Sequence, residues 1–296
     1  MRPVRARTED MHMASFDADE FKNTTRLQWD QAAEAWHRWG SLLHTWLGPA
    51  TERMLDLAEV ESGSRVLDVA AGAGEQTIAA AQRVGPSGSV LATDLSPKIL
   101  EFAQHAATAA GLGNVSTRVL DGERCDELDP NSFDAVISRV ALVYFPDQRR
   151  ALEGMRHALK PSGKKAAIVY SSADRNEFFS IPVAIIRRRA NLPAPAPGRP
   201  GPFSLGADGA LEQLFNAAGY RDVKVERVSA PVRLPTASDC LQFEKESFGA
   251  LHQMMSSLSA TEQEETWQEI EEALAQFETG NGFVGPCEIL VGVGTA

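Results

Sequence analysis

Three aspartates at the ends of apolar segments are the part of this sequence best suited to chemistry. The first, Asp68, stands in the run Val66–Gly74, where a predicted strand passes directly into a loop of small residues and then into a helix. Gly72 and Gly74 carry no Cβ, so the backbone of this loop can approach a ligand closely. The loop is therefore predicted to bind a nucleoside.

Two further acids extend the pattern along the chain. Asp94 closes the next predicted strand, where a carboxylate can accept hydrogen bonds from both hydroxyls of a ribose. Asp121, followed by Gly122, ends the third strand and can accept a hydrogen bond from an adenine amino group. Open α/β sheets bind ligands at the carboxyl ends of their strands. The three acids therefore predict one shared site.

The elements that must position these acids alternate between strand and helix. Apolar patterning predicts strands over 65–70, 89–94, 115–120, 133–138 and 164–170, and helices over 74–84, 97–110 and 147–160. Ser96 followed by Pro97 predicts a helix N-cap with proline at the first helical position, and Gly111 and Gly113 follow a predicted helix end. Such alternation is typical of a parallel sheet with helical crossovers.

Helices and a proline-rich loop are predicted to surround this sheet. The remaining predicted elements are helices over 21–47, 50–58 and 207–217, two helices within 237–278, and strands over 222–232 and 288–293. Gly48 and Pro49 are predicted to separate the first two helices. Five prolines between positions 193 and 202 disfavour helix and strand there. Long loops of this kind are uncommon unless functional, so we expect this one to cover the substrate.

Composition excludes several classes of protein. The 296 residues are 43% hydrophobic and 23% charged, which is typical of a globular chain rather than a disordered one. The net charge of −11 repels phosphate backbones, so nucleic acid is not an expected partner. No run approaches the 18 apolar residues that a membrane helix needs, and the first twenty residues lack the apolar core of a secretion signal.

Three cysteines, Cys125, Cys240 and Cys287, bear on compartment and metal binding. They are odd in number, far apart and without a Cys-x-x-Cys spacing, so neither a disulfide framework nor a zinc site is expected. No histidine or carboxylate group has convincing ligand spacing for another metal. A reducing cytoplasm is the expected location.

The motifs together resemble the class I S-adenosylmethionine-dependent methyltransferases, in particular the small-molecule branch similar to the enzymes of ubiquinone and menaquinone biosynthesis. The family motif Asp-x-Gly-x-Gly-x-Gly is matched by Asp68-Val-Ala70-Ala-Gly72-Ala-Gly74, with Ala70 in place of the first glycine. Further landmarks follow in order: Ala92-Thr-Asp94-Leu-Ser96, Asp121-Gly122, Phe133-Asp-Ala-Val136 and Leu159-Lys-Pro-Ser-Gly163. The resemblance covers residues 20–170 and, more weakly, the final strand.

This resemblance implies a Rossmann-like, seven-stranded, mostly parallel sheet with helices on both faces. It implies a flexible arm over 1–20, a helical lid over 21–60, a core over 61–170, 206–235 and 283–296, and cap insertions over 171–205 and 236–282. The implied cofactor is S-adenosylmethionine, which leaves as S-adenosylhomocysteine. The residues that the resemblance assigns to the cofactor are Asp68, Ala70, Gly72, Gly74, Asp94, Leu95, Asp121, Gly122, Ser138 and, on the lid, Trp29.

In-line methyl transfer depends mainly on placement, because holding donor and acceptor together can supply roughly 7 to 11 kcal/mol of the barrier. Tyr144 stands where this branch often has a histidine, so no histidine base is assigned there. Tyr144 can orient an acceptor through its hydroxyl, and His37 and His44 are the alternative bases. The residues expected to contact the acceptor are Trp36, Arg139, Tyr144, Phe145, Phe178 and Phe179. They predict an aromatic or lipophilic acceptor with an O, N or C nucleophile.

Two alternatives remain open from the sequence. A nicotinamide-dependent oxidoreductase shares the fold and the ribose-binding acid, but expects Gly-x-Gly-x-x-Gly, whereas Thr77 stands where its third glycine belongs. A cofactor-binding protein without catalysis, acting as a partner protein, is the second alternative. The oligomeric state does not follow from the sequence.

Overall fold

The computed structural model describes residues 16–196 and 198–296. Its strands are β1 (Arg65–Val69), β2 (Ser89–Asp94), β3 (Val115–Val119), β4 (Phe133–Arg139), β5 (Leu159–Tyr170), β6 (Arg221–Ser229), β7 (Val232–Leu234), β8 (Glu278–Thr279), β9 (Gly282–Gly285) and β10 (Glu288–Thr295). Its helices are α1 (Ala18–Arg38), α2 (Gly40–Leu57), α3 (Glu75–Val84), α4 (Pro97–Ala109), α5 (Gln148–Ala158), α6 (Glu177–Arg189), α7 (Ala210–Ala217), α8 (Ala237–Ser247), α9 (Gly249–Met254) and α10 (Ala260–Leu274). The arm predicted over 1–20 lies largely outside the described residues.

Seven strands form the central sheet in the order β3-β2-β1-β4-β5-β10-β6. Only β10 runs against its neighbours, pairing antiparallel with both β5 and β6. The predicted seven-stranded, mostly parallel sheet is therefore confirmed. No helix in the described part of the chain is both long and apolar enough to cross a membrane.

Side chains that alternate along the strands fill a separate hydrophobic core on each face of the sheet. In β5, Ile168 and Tyr170 pack into one core with residues of α2 and α3. Ala167 and Val169 point the other way and pack with residues of α5 and α7. This period of two is what a strand buried on both faces requires.

The middle of the sheet creates the crevice that the three acids were predicted to share. Strand β1 pairs in parallel with β2 on one side and with β4 on the other. Asp68 lies opposite Ala92 of β2 and Ile137 of β4 in these registers. Because the connections leave β1 and β4 toward opposite sides, the carboxyl ends of these strands border an open space.

Helix α4 begins where the sequence predicts. The Ser96 hydroxyl accepts a hydrogen bond from the Ile99 amide at 3.1 Å, and Pro97 is the first helical residue. This cap satisfies an amide that has no partner within the helix. It also fixes the exit direction of the chain after Asp94.

The break between the first two helices lies earlier than predicted. Helix α1 ends before Trp39 and α2 starts at Gly40, so Pro49 falls inside α2. A proline there removes one backbone donor, which normally disfavours a helix. Its neighbours Leu47 and Ala50 are both almost fully buried, and this packing holds the helix together.

The cap contains helix α6 within 171–205 but differs from the prediction in two respects. Residues 236–282 contain three helices rather than two, because Phe248 separates α8 from α9. Strands β7, β9 and β8 form a second small sheet. The predicted core segments 206–235 and 283–296 therefore extend beyond the central sheet.

The tight approach of α4 to the loop after β1 can be tested at Gly74. Its φ is +93°, and a Cβ would lie 2.9 Å from Ala103, whereas Gly111 also has a positive φ, +70°, but open space around it. We expect Gly111→Ala to lower the free energy of unfolding by about 1 kcal/mol. Gly74→Ala should lower it by a further 1 to 3 kcal/mol or so because of the overlap.

Urea denaturation of the two variants and the unmodified chain measures both effects. Equal losses at the two positions would contradict the packing described for Gly74.

Candidate functional site

A cavity of about 410 Å³ lies at the carboxyl ends of the central strands, beneath helices α1 and α2. It is lined by twelve of the residues that the sequence analysis selected: Trp29, Trp36, His37, Ala70, Gly72, Asp94, Leu95, Asp121, Gly122, Arg139, Tyr144 and Phe145. The site predicted at this edge of the sheet therefore corresponds to one enclosed space. The other selected residues lie behind or beside it.

Asp94 presents a fixed carboxylate to the cavity. One of its oxygens accepts a hydrogen bond from the Gly72 amide at 3.0 Å, and the other accepts one from the Ser96 amide at 2.9 Å. Burial raises the pKa of Asp94 to about 6, although these two amide hydrogen bonds lower it. Asp94 lines the cavity, and a carboxylate has roughly four acceptor positions, so these two bonds leave acceptor capacity for a ligand.

Asp68 does not reach the cavity, contrary to its expected contact with a ligand. Its side chain is fully buried, and its oxygens accept hydrogen bonds from the Thr77 hydroxyl at 2.6 Å and from the Gln76 amide at 3.3 Å. Burial raises the pKa of Asp68 to about 6, against the lowering effect of these bonds. Asp68 therefore fixes the first turn of α3, and Gln76 rather than Asp68 lines the cavity.

The small-residue loop after β1 needs residues that adopt a positive φ more than it needs residues without a side chain. Ala70 has φ +57° and Gly72 has φ +58°, and a Cβ on Gly72 would meet no atom within 4 Å. Gly74 lies off the cavity wall and packs against Ala103 instead. The alanine that replaces the first glycine of the motif thus adopts a conformation that glycine adopts more readily.

Asp121 already has a partner on the helix above it. Lys22 of α1 donates a hydrogen bond to Asp121 at 2.8 Å and another to Glu123 at 2.5 Å. The other Asp121 oxygen accepts a bond from the Glu123 amide at 2.9 Å. The next residue, Gly122, has no room for a side chain, because a Cβ there would lie 2.5 Å from the Phe145 ring. This cluster ties α1 to the end of β3.

Arg139 and Glu75 form an ion pair on the opposite part of the wall. The Arg139 side chain is only 5% exposed, and it also donates to the Thr51 hydroxyl at 3.1 Å. Glu75 contacts His44 at 3.1 Å, but the His44 side chain is 76% exposed and lies outside the cavity. His37 does line the cavity, with its ring stacked on Phe102 at 5.1 Å between centroids.

Ser138 lies one layer behind the wall rather than on it. Its hydroxyl accepts a hydrogen bond from the buried ammonium of Lys165 at 2.6 Å, and Lys165 also donates to the Ala166 carbonyl at 2.9 Å. Burial lowers the pKa of Lys165 to about 7. Ser138 and Lys165 therefore form a buried hydrogen-bonded pair that does not line the cavity.

Tyr144 lines the cavity, and its burial bears on the chemistry of its hydroxyl. Burial raises the pKa of its phenol well above the ordinary value. A phenol with a raised pKa stays protonated near neutral pH, so it is a poor general base. Tyr144 can still orient a bound molecule through its hydroxyl.

A second cavity of about 560 Å³ adjoins the first. Five residues line both cavities and form a shared wall between them: Phe21, Thr25, Trp29, Tyr144 and Phe248. Helices α6, α8 and α9 and the proline-rich segment enclose the second cavity. The cap insertions predicted to cover a substrate thus enclose a space of their own.

The two phenylalanines expected to contact the acceptor lie in different surroundings. Phe179 lines the second cavity. Phe178 is fully buried, 5.3 Å from the Trp46 ring and 6.2 Å from the Tyr170 ring, and lines neither cavity. Successive residues of a helix point about 100° apart, so the two rings of α6 cannot face the same space.

Several residues of the cavity wall were not identified from the sequence, among them Phe21, Lys22, Glu75, Val140, Tyr170 and Phe248. Glu75 directly follows the glycine motif and Tyr170 ends the fifth strand, so their positions carried a usable signal. Val140 has a positive φ of +56°, which no pattern indicates for a β-branched residue. No group of three or more His, Cys, Asp or Glu side chains arranged to hold a metal ion occurs in residues 16–196 and 198–296.

A family of known proteins matches the middle of the chain. Residues 66–163 match the family described as a methyltransferase domain. The chain is 32% identical over 146 residues to the aklanonic acid methyltransferase DauC of Streptomyces sp. strain C5, a match covering 49% of this chain and 64% of that protein. It is 29% identical over 199 residues to the nocamycin O-methyltransferase of Saccharothrix syringae, covering 64% of this chain and 70% of that protein. Residues 66–163 therefore resemble a methyltransferase domain, and the chain is similar to these two methyltransferases.

The fold of this chain is also found among solved structures. The YcgJ protein of Bacillus subtilis superimposes with a TM-score of 0.56 at 18% identity, over 84% of this chain and 98% of that one. This is a likeness of fold. The match with DauC spans slightly less than two thirds of that protein's length.

One buried acid of the chain lines neither cavity. Glu244 of α8 is fully buried, and within the described residues neither oxygen of its carboxyl has a hydrogen-bond partner. Burial raises the pKa of Glu244 well above its ordinary value. The folded chain therefore binds a proton at Glu244 at pH values where the unfolded chain has released it.

Glu244→Gln tests this assignment through stability. A carboxyl whose pKa is raised on folding makes its full contribution to the free energy of unfolding below its unfolded pKa, near 4.3. This contribution is lost as pH rises through the folded pKa. As pH rises from 5, the free energy of unfolding of Glu244→Gln should therefore rise relative to that of the unmodified chain. The rise should be up to about 1.4 kcal/mol per pH unit until the folded pKa is reached. Urea titrations at pH 5, 6, 7 and 8 measure the difference, with the exposed Glu264→Gln as control. A difference that does not vary with pH would contradict the assignment.

Ala70→Gly tests the left-handed backbone of the loop. Removing the methyl group should raise the free energy of unfolding by roughly 0.5 to 1 kcal/mol, because strain at a positive φ outweighs the entropy that glycine adds to the unfolded chain. Ala73 lies in the same loop without a positive φ, so Ala73→Gly should lower stability by a similar amount. Chemical denaturation of both variants measures these changes in the free energy of unfolding. An equal loss of stability in Ala70→Gly and Ala73→Gly would contradict backbone strain at Ala70.

Proposed function

We propose that this chain moves a methyl group from S-adenosylmethionine to a small molecule held between the two cavities. Asp94 carries this proposal: its carboxylate lines the cavity, is buried and is oriented by two backbone amides, and these two bonds leave acceptor capacity for a ligand. Vicinal hydroxyls of a ribose are the donors that such a carboxylate recognises.

The remaining wall residues fit the rest of the cofactor. Leu95 and Gly122 line the cavity beside Asp94 and would take the adenine. Glu75 and Arg139 offer one negative and one positive group on the same wall, which matches the ammonium and carboxylate of a methionine moiety. When bound, the cofactor supplies an electrophilic methyl group on a sulfonium. The chain then has to hold the acceptor in line with it and exclude water.

The acceptor is inferred to be aromatic or lipophilic, with an O, N or C nucleophile. The wall between the cavities is mostly aromatic. Trp36, which lines the first cavity alone, packs beside this wall, with its ring 5.3 Å from Trp29 and 6.2 Å from Phe248 between centroids. The names of the two relatives, which denote methyltransferases for aklanonic acid and nocamycin, support a small-molecule acceptor. Tyr144, on the shared wall, is the residue that would orient it.

The same reasoning extends to compartment and partners. Cys125, Cys240 and Cys287 are all buried and unpaired, which supports a reducing compartment such as the cytoplasm. The net charge of −11 supports a small molecule rather than nucleic acid as the partner.

The cofactor assignment is tested by calorimetric titration with S-adenosylhomocysteine and, separately, with NAD. We expect S-adenosylhomocysteine to bind and NAD to bind far more weakly, since Thr77 and its bond to Asp68 occupy the place of the third glycine of a dinucleotide motif. Asp94→Asn should weaken binding about 10- to 100-fold, and the exposed Asp129→Asn should not change it. Binding of NAD alone would overturn the proposal.

The pH dependence of the same titration gives an independent test. Asp94 has a pKa of about 6 when no ligand is bound, and accepting two hydroxyl groups favours its ionised form. Affinity for S-adenosylhomocysteine should therefore fall as pH drops below about 6, with proton release on binding near that pH. Asp94→Asn should remove this dependence. An affinity that is unchanged between pH 5 and pH 8 would contradict the role of Asp94.

Catalysis is separated from mere cofactor binding by transfer of label. Incubation with S-adenosylmethionine labelled in its methyl group and a panel of phenols, amines and carboxylic acids should label at least one acceptor. Cofactor binding without transfer to any of them would instead favour a protein that binds the cofactor without catalysis.

A further inference from the structure

The second cavity carries positive charge in a chain that is strongly acidic. Among the described residues that line it, the ionisable groups with a formal charge at neutral pH are Arg187 and Arg199, and no aspartate or glutamate lines it. The chain as a whole has a net charge of −11. This local reversal of sign favours an anion inside the cavity.

Arg187 differs from the two arginines that follow it on α6. Arg188 and Arg189 both pair with Glu269 of α10. Arg187 has no ion pair within residues 16–196 and 198–296, and its Nη2 is buried without a hydrogen-bond partner. A buried guanidinium nitrogen without a partner is unfavourable, so a ligand that supplies an acceptor would be bound strongly.

A second unsatisfied group lies on the same wall. Ser247 at the end of α8 lines the second cavity, and its buried hydroxyl has no hydrogen-bond partner among the described residues. The rest of the wall includes the rings of Phe179 and Phe248, whose centroids are 4.7 Å apart. The cavity wall therefore combines an apolar surface with two polar residues whose buried atoms lack a hydrogen-bond partner among the described residues.

We propose that the methyl acceptor carries a carboxylate at the end remote from the cofactor, and that Arg187 binds it. The proposal rests on the proposed function and specifies the substrate class. The planar guanidinium suits a carboxylate, Ser247 can donate an additional hydrogen bond, and Arg199 adds positive charge. The aromatic body of the acceptor then passes the shared wall at Tyr144 to reach the first cavity.

Anthraquinone-2-carboxylate, a planar aromatic acid, and its neutral carboxamide are suitable probes. We expect the full chain, saturated with S-adenosylhomocysteine, to bind the acid about 10-fold or more tightly than the amide in calorimetric titrations. Arg187→Met should remove this preference, and Arg187→Lys should keep part of it. Arg188→Met removes a neighbouring charge that is already paired and exposed, so it should leave the preference unchanged.

Each outcome bears on a different claim. Equal binding of acid and amide, no binding of either, or the same loss in the Arg188 and Arg187 variants would overturn the role of Arg187. Failure of S-adenosylhomocysteine itself to bind would instead count against the proposed function. Unchanged S-adenosylhomocysteine binding by Arg187→Met shows that this variant is folded. If Arg187→Met does not fold, the two lysine variants test the role of Arg187 instead. Arg187→Lys should then show a smaller preference for the acid than Arg188→Lys does.

Discussion

The hydrogen bond from the Gly72 amide to the Asp94 carboxylate is the contact on which the first cavity depends. It joins the loop after β1 to the end of β2 at 3.0 Å, and the left-handed conformation of Gly72 places its amide in that loop. The Ser96 amide holds the second oxygen, so the carboxylate is fixed before any ligand arrives. Preorganisation of this kind lets a ligand bind without ordering the side chain first.

Helices α1 and α2 cover this edge of the sheet and form the first cavity with it. Different charged groups lie at the two ends of this cavity. Lys22 ties α1 to Asp121 and Glu123 at one end, whereas Arg139 and Glu75 pair at the other. The aromatic shared wall then leads to the second cavity. The described residues that line it include two arginines and no aspartate or glutamate. Charge and polarity along this path match a cofactor with an adenosyl and a methionine part, followed by an acceptor with an aromatic body and an anionic end.

The sequence predicted the sheet and much of the cavity wall because both depend on local patterns. Strand periodicity, the Ser96 cap and the order of Asp68, Asp94 and Asp121 are all readable within short segments. What the sequence could not separate was contact from support: Asp68 looks like a ligand residue but holds α3 instead. That distinction depends on which side of a strand faces the cavity, which a motif does not state.

The cap was less accessible to prediction, since its elements are defined by long-range packing. Pro49 lies inside a helix and Pro182 lies inside α6, because buried neighbours outweigh the loss of a backbone donor. Phe248 and Lys22 reach the cavity from distant parts of the chain, and nothing near them in sequence indicates this. Arg187 stands in a run of three arginines, and what distinguishes it is the pairing of Arg188 and Arg189 with α10, a contact distant in sequence.

A crystal structure of the chain with S-adenosylhomocysteine bound tests the central claim most directly. The account predicts both ribose hydroxyls within about 3.2 Å of the Asp94 carboxylate, with the sulfur facing the wall shared by the two cavities. A ligand bound elsewhere, or a ribose turned away from Asp94, would contradict it.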